Sequence, residues 1–149
     1  MQVSRSISFL ILLFIYGCGD NLTNIYYDWG LDSYTDKEYS TAYKWISKSA
    51  ERGHIDGQTI LGVMYLFGQG IEPDRDKAEF WLLKSAEAGN KDAQSILGLT
   101  FYSGINKEID AANSIKWLTL AAEQGEEKAK MALEHIINQY NIPDTKEQF

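Results

Sequence analysis

Apolar and small residues recur along this chain at helical spacing. Gly57, Leu61, Tyr65 and Gly68 fall on one face, at i, i+4, i+8 and i+11. Thirty-six residues later the same places hold Ala93, Leu97, Phe101 and Gly104, and a further thirty-six later Ala129, Leu133 and Ile137. A second stripe, at i, i+3, i+4, i+7 and i+8, alternates with the first. It reads Ala42, Trp45, Ile46, Ser49, Ala50, then Ala78, Trp81, Leu82, Ser85, Ala86, then Ser114, Trp117, Leu118, Ala121, Ala122. Each copy predicts an amphipathic helix with an indole in the middle of its buried face. No insertion or deletion separates the copies. A fixed period of this length marks a stacked helical repeat: an all-α solenoid of helix pairs, with about two full repeats and a half repeat at each end.

The residues between the stripes agree. Gly53, Gly89 and Gly125 follow the second-type helices, where a left-handed residue closes a helix. Gly68, Gly70 and Pro73 break the first-type helix, and Asp74 or Asp76 can cap the next. Asp110 keeps the place of Asp74, while Asn106 replaces Gly70. Gly62 and Gly98, beside the first stripe, predict close helix approach, since glycine weakens an isolated helix.

At the ends the pattern loosens. Leu22 to Asp32 reads either as a degenerate first helix, with Ile25 and Trp29 in the places of Leu61 and Tyr65, or as an aromatic lead-in. Glu126 to Tyr140 reads as a last first-type helix with a polar outer side, and residues 141–149 as a flexible tail. The helical repeat domain is therefore expected over residues 25–140.

Charge and cysteine usage narrow the partners. Fourteen basic against 21 acidic residues give a formal charge of −7, which repels phosphate backbones, so no nucleic acid is expected as a partner. The single cysteine, Cys18, excludes an internal disulfide framework. It follows Arg5 and the apolar run Ile7 to Tyr16, which is too short to span a bilayer and has the layout of a secretory signal. Ile15-Tyr16-Gly17-Cys18 resembles a bacterial lipobox, although Tyr16 stands where a small residue is usual. That resemblance implies a signal peptide over 1–17, lipid attachment at Cys18 and a tether over 18–24. Cleavage after Gly19 is the alternative. Gly19 directly after Cys18, with Asp20 following, points toward outer-membrane sorting of a periplasm-facing lipoprotein.

Chemistry is sparse. His54 and His135 stand far apart and in no ligand spacing, and neither a nucleophile elbow nor a phosphate loop occurs, so no metal, cofactor or catalytic residue is expected. The first helices carry a further face: Thr59, Val63 and Leu66, then Ser95, Leu99 and Tyr102, then Met131, His135 and Asn138. These positions differ between copies. Val63, Leu66, Leu99 and Tyr102 either pack on neighbouring helices or form an exposed binding surface.

Gly57, Leu61, Gly62, Tyr65, Gly68 and Gly70, with Asp74, Lys77, Ala78, Trp81, Ala86 and Gly89, resemble the Sel-one-like repeat, a relative of the tetratricopeptide repeat. The resemblance covers about residues 37 to 137. It implies antiparallel helix pairs in a right-handed superhelix, first helices on the concave side, and a non-enzymatic protein-binding module. Acidic rims would suit a basic partner. Small lipoproteins with such repeats include immunity proteins that neutralise toxic effectors such as secreted phospholipases. Cysteine-rich members described as β-lactam-hydrolysing carry paired cysteines that these repeats lack.

Overall fold

The computed structural model describes residues 21–103 and 110–140. Cys18, the expected leader and the expected tail lie outside them. Seven helices and no strand occur among the described residues: α1 over residues 21–35, α2 Tyr39–Glu51, α3 Ile55–Phe67, α4 Arg75–Glu87, α5 Lys91–Ser103, α6 Ala111–Glu123 and α7 Glu127–Tyr140. From α2 to α6 every helix has 13 residues, so the repeat is kept in length as well as in residue type. The chain divides into two compact units, Met1–Ala78 and Glu79–Phe149.

The aromatic lead-in is helical, and α1 already includes residues 21–24 of the expected tether. Leu22, Ile25, Tyr26 and Trp29 stand at i, i+3, i+4 and i+7, a spacing that favours a helix once the face is packed.

The joints between second-type and first-type helices are the same three times over. The Gly53 N–H donates to the Ala50 carbonyl at 3.0 Å, and that of His54 to Ser49 at 3.1 Å. Gly89 and Asn90 bond Ala86 and Ser85, and Gly125 and Glu126 bond Ala122 and Ala121, in the same way. This is a Schellman closure, and its glycines have φ of 93°, 91° and 84°. The next residue then starts the following helix. His54 Nδ1 accepts from the Gly57 N–H at 3.1 Å, and Asn90 Oδ1 from the Ala93 N–H at 2.8 Å. Ahead of the second-type helices, Asp74 accepts from the Lys77 N–H and Asp110 from the Asn113 N–H, each at 3.0 Å. Glu38 holds the equivalent place before α2 and makes no such bond.

The first unit buries Ala42, Ile46, Ala50, Leu61, Met64 and Tyr65. In the second unit Leu82, Ala86, Ala93, Leu97 and Trp117 form one cluster, and Leu118, Ala121, Ala129 and Ile136 another. A Cβ at Gly98 would come within 2.7 Å of Leu118 Cγ, so the approach of α5 and α6 depends on the missing side chain.

The tryptophans do not share one environment. Trp117 is 6% exposed, whereas Trp45 and Trp81 are half-buried. Trp117 packs with Leu82 and Ala86 of the second-type helix before it. Among the described residues no second-type helix precedes α1, and Trp45 is covered instead by aromatic side chains of α1.

Candidate interaction surfaces

In the second unit α5 and α7 present neighbouring faces. Leu99 is 40% exposed and Met131 70%, and His135 is exposed as well. Tyr102 is half-buried. Its ring meets that of His135 edge-on at 6.3 Å, and its hydroxyl donates to Gln139 Oε1. An apolar patch with a polar edge results. Of the residues marked out on this face, Leu99, Tyr102, Met131 and His135 reach it. Ser95 is buried, although it stands nearly half a turn away from the Ala93–Leu97 stripe.

In the first unit Thr59 is also buried, and Val63 and Leu66 are half-buried. Tyr27 of α1 stacks on the His54 ring with centroids 4.0 Å apart. Burial raises the Tyr27 phenol, and the nearby carboxylates of Asp56 and Asp28 add to the shift. Across the joint to α4, the Tyr43 and Tyr65 hydroxyls are in hydrogen-bond contact at 3.0 Å, and Lys77 Nζ lies 5.4 Å from the Tyr65 ring centroid. Burial, then the bond to Tyr43, then the charges of Asp74 and Glu51 push the Tyr65 phenol up to about 12. The Lys77 backbone N–H and then its side chain hold the Asp74 carboxyl below its ordinary range. The Tyr43–Tyr65 bond joins α2 to α3, and the Asp74–Lys77 pair closes the start of α4. No cluster of three or more metal-ligating side chains occurs among the described residues.

Sequence reading missed a second surface. Tyr26 and Trp45 stack at 5.7 Å, and Trp29 meets Trp45 edge-on at 4.9 Å. Lys48 lies 4.7 Å from the Trp45 centroid and 5.4 Å from that of Tyr26. Lys44 is 5.1 Å from Trp45, and Arg52 5.0 Å from Tyr26. Such cation–ring contacts are attractive at these distances. The available signal was Lys44, Lys48 and Arg52 at i, i+4 and i+8 on the helix of Trp45.

Comparison with known proteins now gives the class. The Sel1 repeat family model matches residues 15–54, 55–90 and 91–126, and the chain belongs to that family. The three matched spans make α1 and α2 a full first repeat, so the half repeat expected at the start is completed by α1. Among solved structures the chain is similar to a Sel1 repeat protein from Oxalobacter formigenes: 30% identity, TM-score 0.69, over 74% of this chain and 45% of that one. It is also similar to a protective antigen of uropathogenic Escherichia coli strains: 31% identity, TM-score 0.64, over 67% of this chain and 21% of that one. This chain thus spans less than half the length of either. Sel1 repeat proteins are in general non-catalytic protein–protein interaction modules.

Proposed function

We propose that the chain is a non-catalytic binding module of the bacterial cell envelope, held there through Cys18, that captures a protein partner on the first-type helices α5 and α7. The observation that carries the binding reading is the exposure of Leu99 and Met131, each one helical turn before a member of the Tyr102–His135 pair. Apolar side chains left in water on adjacent helices cost free energy that a partner recovers. The position of the chain's only cysteine, directly after a short apolar run, supports the anchor.

Two measurements test this. A partner retained from envelope extracts by the wild-type chain should be lost from Leu99→Glu/Met131→Glu, with circular dichroism unchanged; equal retention rules the surface out. A clickable fatty acid should label the wild type and not Cys18→Ser, and equal labelling removes the anchor.

A further inference from the structure

The aromatic cluster of α1 and α2 takes no part in that binding face. Trp29 is 50% exposed, and Leu22, seven residues earlier on the same helix, is 39% exposed. Three touching rings stand on this face, with Lys44, Lys48 and Arg52 lying over two of them. Amphipathic rings beside long cationic side chains, whose stems lie on apolar surface and whose heads reach outward, are the chemistry of a lipid–water interface.

We propose that this face of α1 and α2 docks on the bilayer surface, with its cations on anionic phospholipid headgroups and Trp29 and Leu22 in the interfacial layer. The orientation rests on the anchored reading given above. Cys18 stands three residues before Asn21, a covalent reach of at most about 10 Å. Acyl chains at Cys18 therefore bring the start of α1 to the membrane. The formal charge of −7 opposes this only weakly, because charges beyond about 8 Å are screened in physiological salt. The three cations lie over the rings themselves, while the carboxylates of the two helices are Asp28, Asp32 and Glu51. Several acyl chains at Cys18 suffice to hold the chain at a bilayer, and a basic aromatic face beside them selects which side of α1 and α2 meets it.

The test uses the full chain isolated from envelopes and reconstituted in phosphatidylethanolamine–phosphatidylglycerol vesicles that carry a brominated lipid. Indole emission is expected to be quenched, and Trp29→Phe to remove the largest share of the quenching. Neutralising Lys44, Lys48 and Arg52 together (each →Gln) should lower the docked-to-undocked ratio about fivefold per charge, and added salt should act in the same direction. Phosphatidylcholine vesicles should quench weakly. Quenching as strong in Trp29→Phe as in wild type, or as strong in phosphatidylcholine and unmoved by the triple neutralisation, overturns the proposal. So does a Trp29 shielded in envelopes but untouched by brominated lipid, which marks an acidic protein as the occupant. The anchor is read separately by fatty-acid labelling: label without Trp29 quenching sinks the docking alone, and quenching without label sinks the anchor alone.

Discussion

Gln94 Nε2 donates to the Ala86 carbonyl at 3.0 Å, and this oxygen already accepts the Gly89 N–H that closes α4. Thirty-six residues earlier, Gln58 makes the same bond to Ala50 at 3.2 Å. In both places a buried amide ties the end of one helix to the body of the next. The Gln94 carbonyl oxygen also accepts from Gln124 Nε2 at 2.8 Å, so neither end of its amide is left unpaired. Because the Ala86 oxygen keeps its backbone donor, Gln94→Leu should cost only about 1 kcal/mol, visible as a lower urea midpoint with an unchanged slope. A loss above about 3 kcal/mol would show that the amide holds more than this joint.

Ser114 is fully buried, and its hydroxyl has no hydrogen-bond partner among the described residues. Ala42 and Ala78 fill the same place in the other repeats and are equally buried. Ser114→Ala should therefore stabilise the chain by about 1 kcal/mol, since it removes an unsatisfied polar atom and improves helix propensity. Calorimetry checks it, and an unchanged or lower Tm counts against the unpaired hydroxyl.

Gly98→Ala sets two effects against each other. Alanine gains up to about 1 kcal/mol in helix propensity. Its Cβ, however, would lie 2.7 Å from Leu118 Cγ and 3.1 Å from the Leu118 backbone nitrogen, so α6 itself has to shift. Overpacking of this kind costs about 1–3 kcal/mol, and net destabilisation is expected in thermal unfolding. A higher Tm would mean that α5 and α6 approach less closely.

The Tyr65 phenol, pushed up to about 12 mainly by burial, makes stability pH-dependent on the alkaline side. The folded chain keeps this proton where the unfolded chain, at the ordinary 10.0, gives it up. The stabilisation is thus fully present below pH 10 and is lost as pH rises toward 12. Tyr65→Phe should start lower at pH 8, because it strands the Tyr43 hydroxyl, and the gap to wild type should narrow between pH 10 and 12. Urea midpoints across that window decide, and a constant gap refutes the assignment.

Much of this fold was legible from spacing alone. The recurrence of Trp45, Trp81 and Trp117, with Gly53, Gly89 and Gly125 behind them, set the helix pairs and their ends, because burial and positive φ each demand particular residue types. For the caps, spacing left Asp74 or Asp76 open and aligned Asp110 with Asp74; Asp74 and Asp110 accept the capping N–H bonds. Spacing did not reveal that Trp117 lies inside while Trp45 and Trp81 stand half in water: one residue type at one place of the repeat is covered to different degrees in different copies. Thr59 and Ser95 were marked for the open face and are buried: two residues from the core stripe is nearly half a turn of helix, so the far sides of α3 and α5 are covered there as well. Gln58 and Gln94 stand thirty-six residues apart, but their bonds run to backbone oxygens that leave no trace in sequence.

One consequence follows from the identical glycine joints. A block such as residues 55–90 begins just after one such closure and ends just after the next, so its two junctions are interchangeable. Gene duplication or loss of that block would alter the number of recognition helices without requiring any new connection to be invented. Copy number, rather than redesign of single side chains, is then the cheapest way for such a protein to match the extent of what it grips.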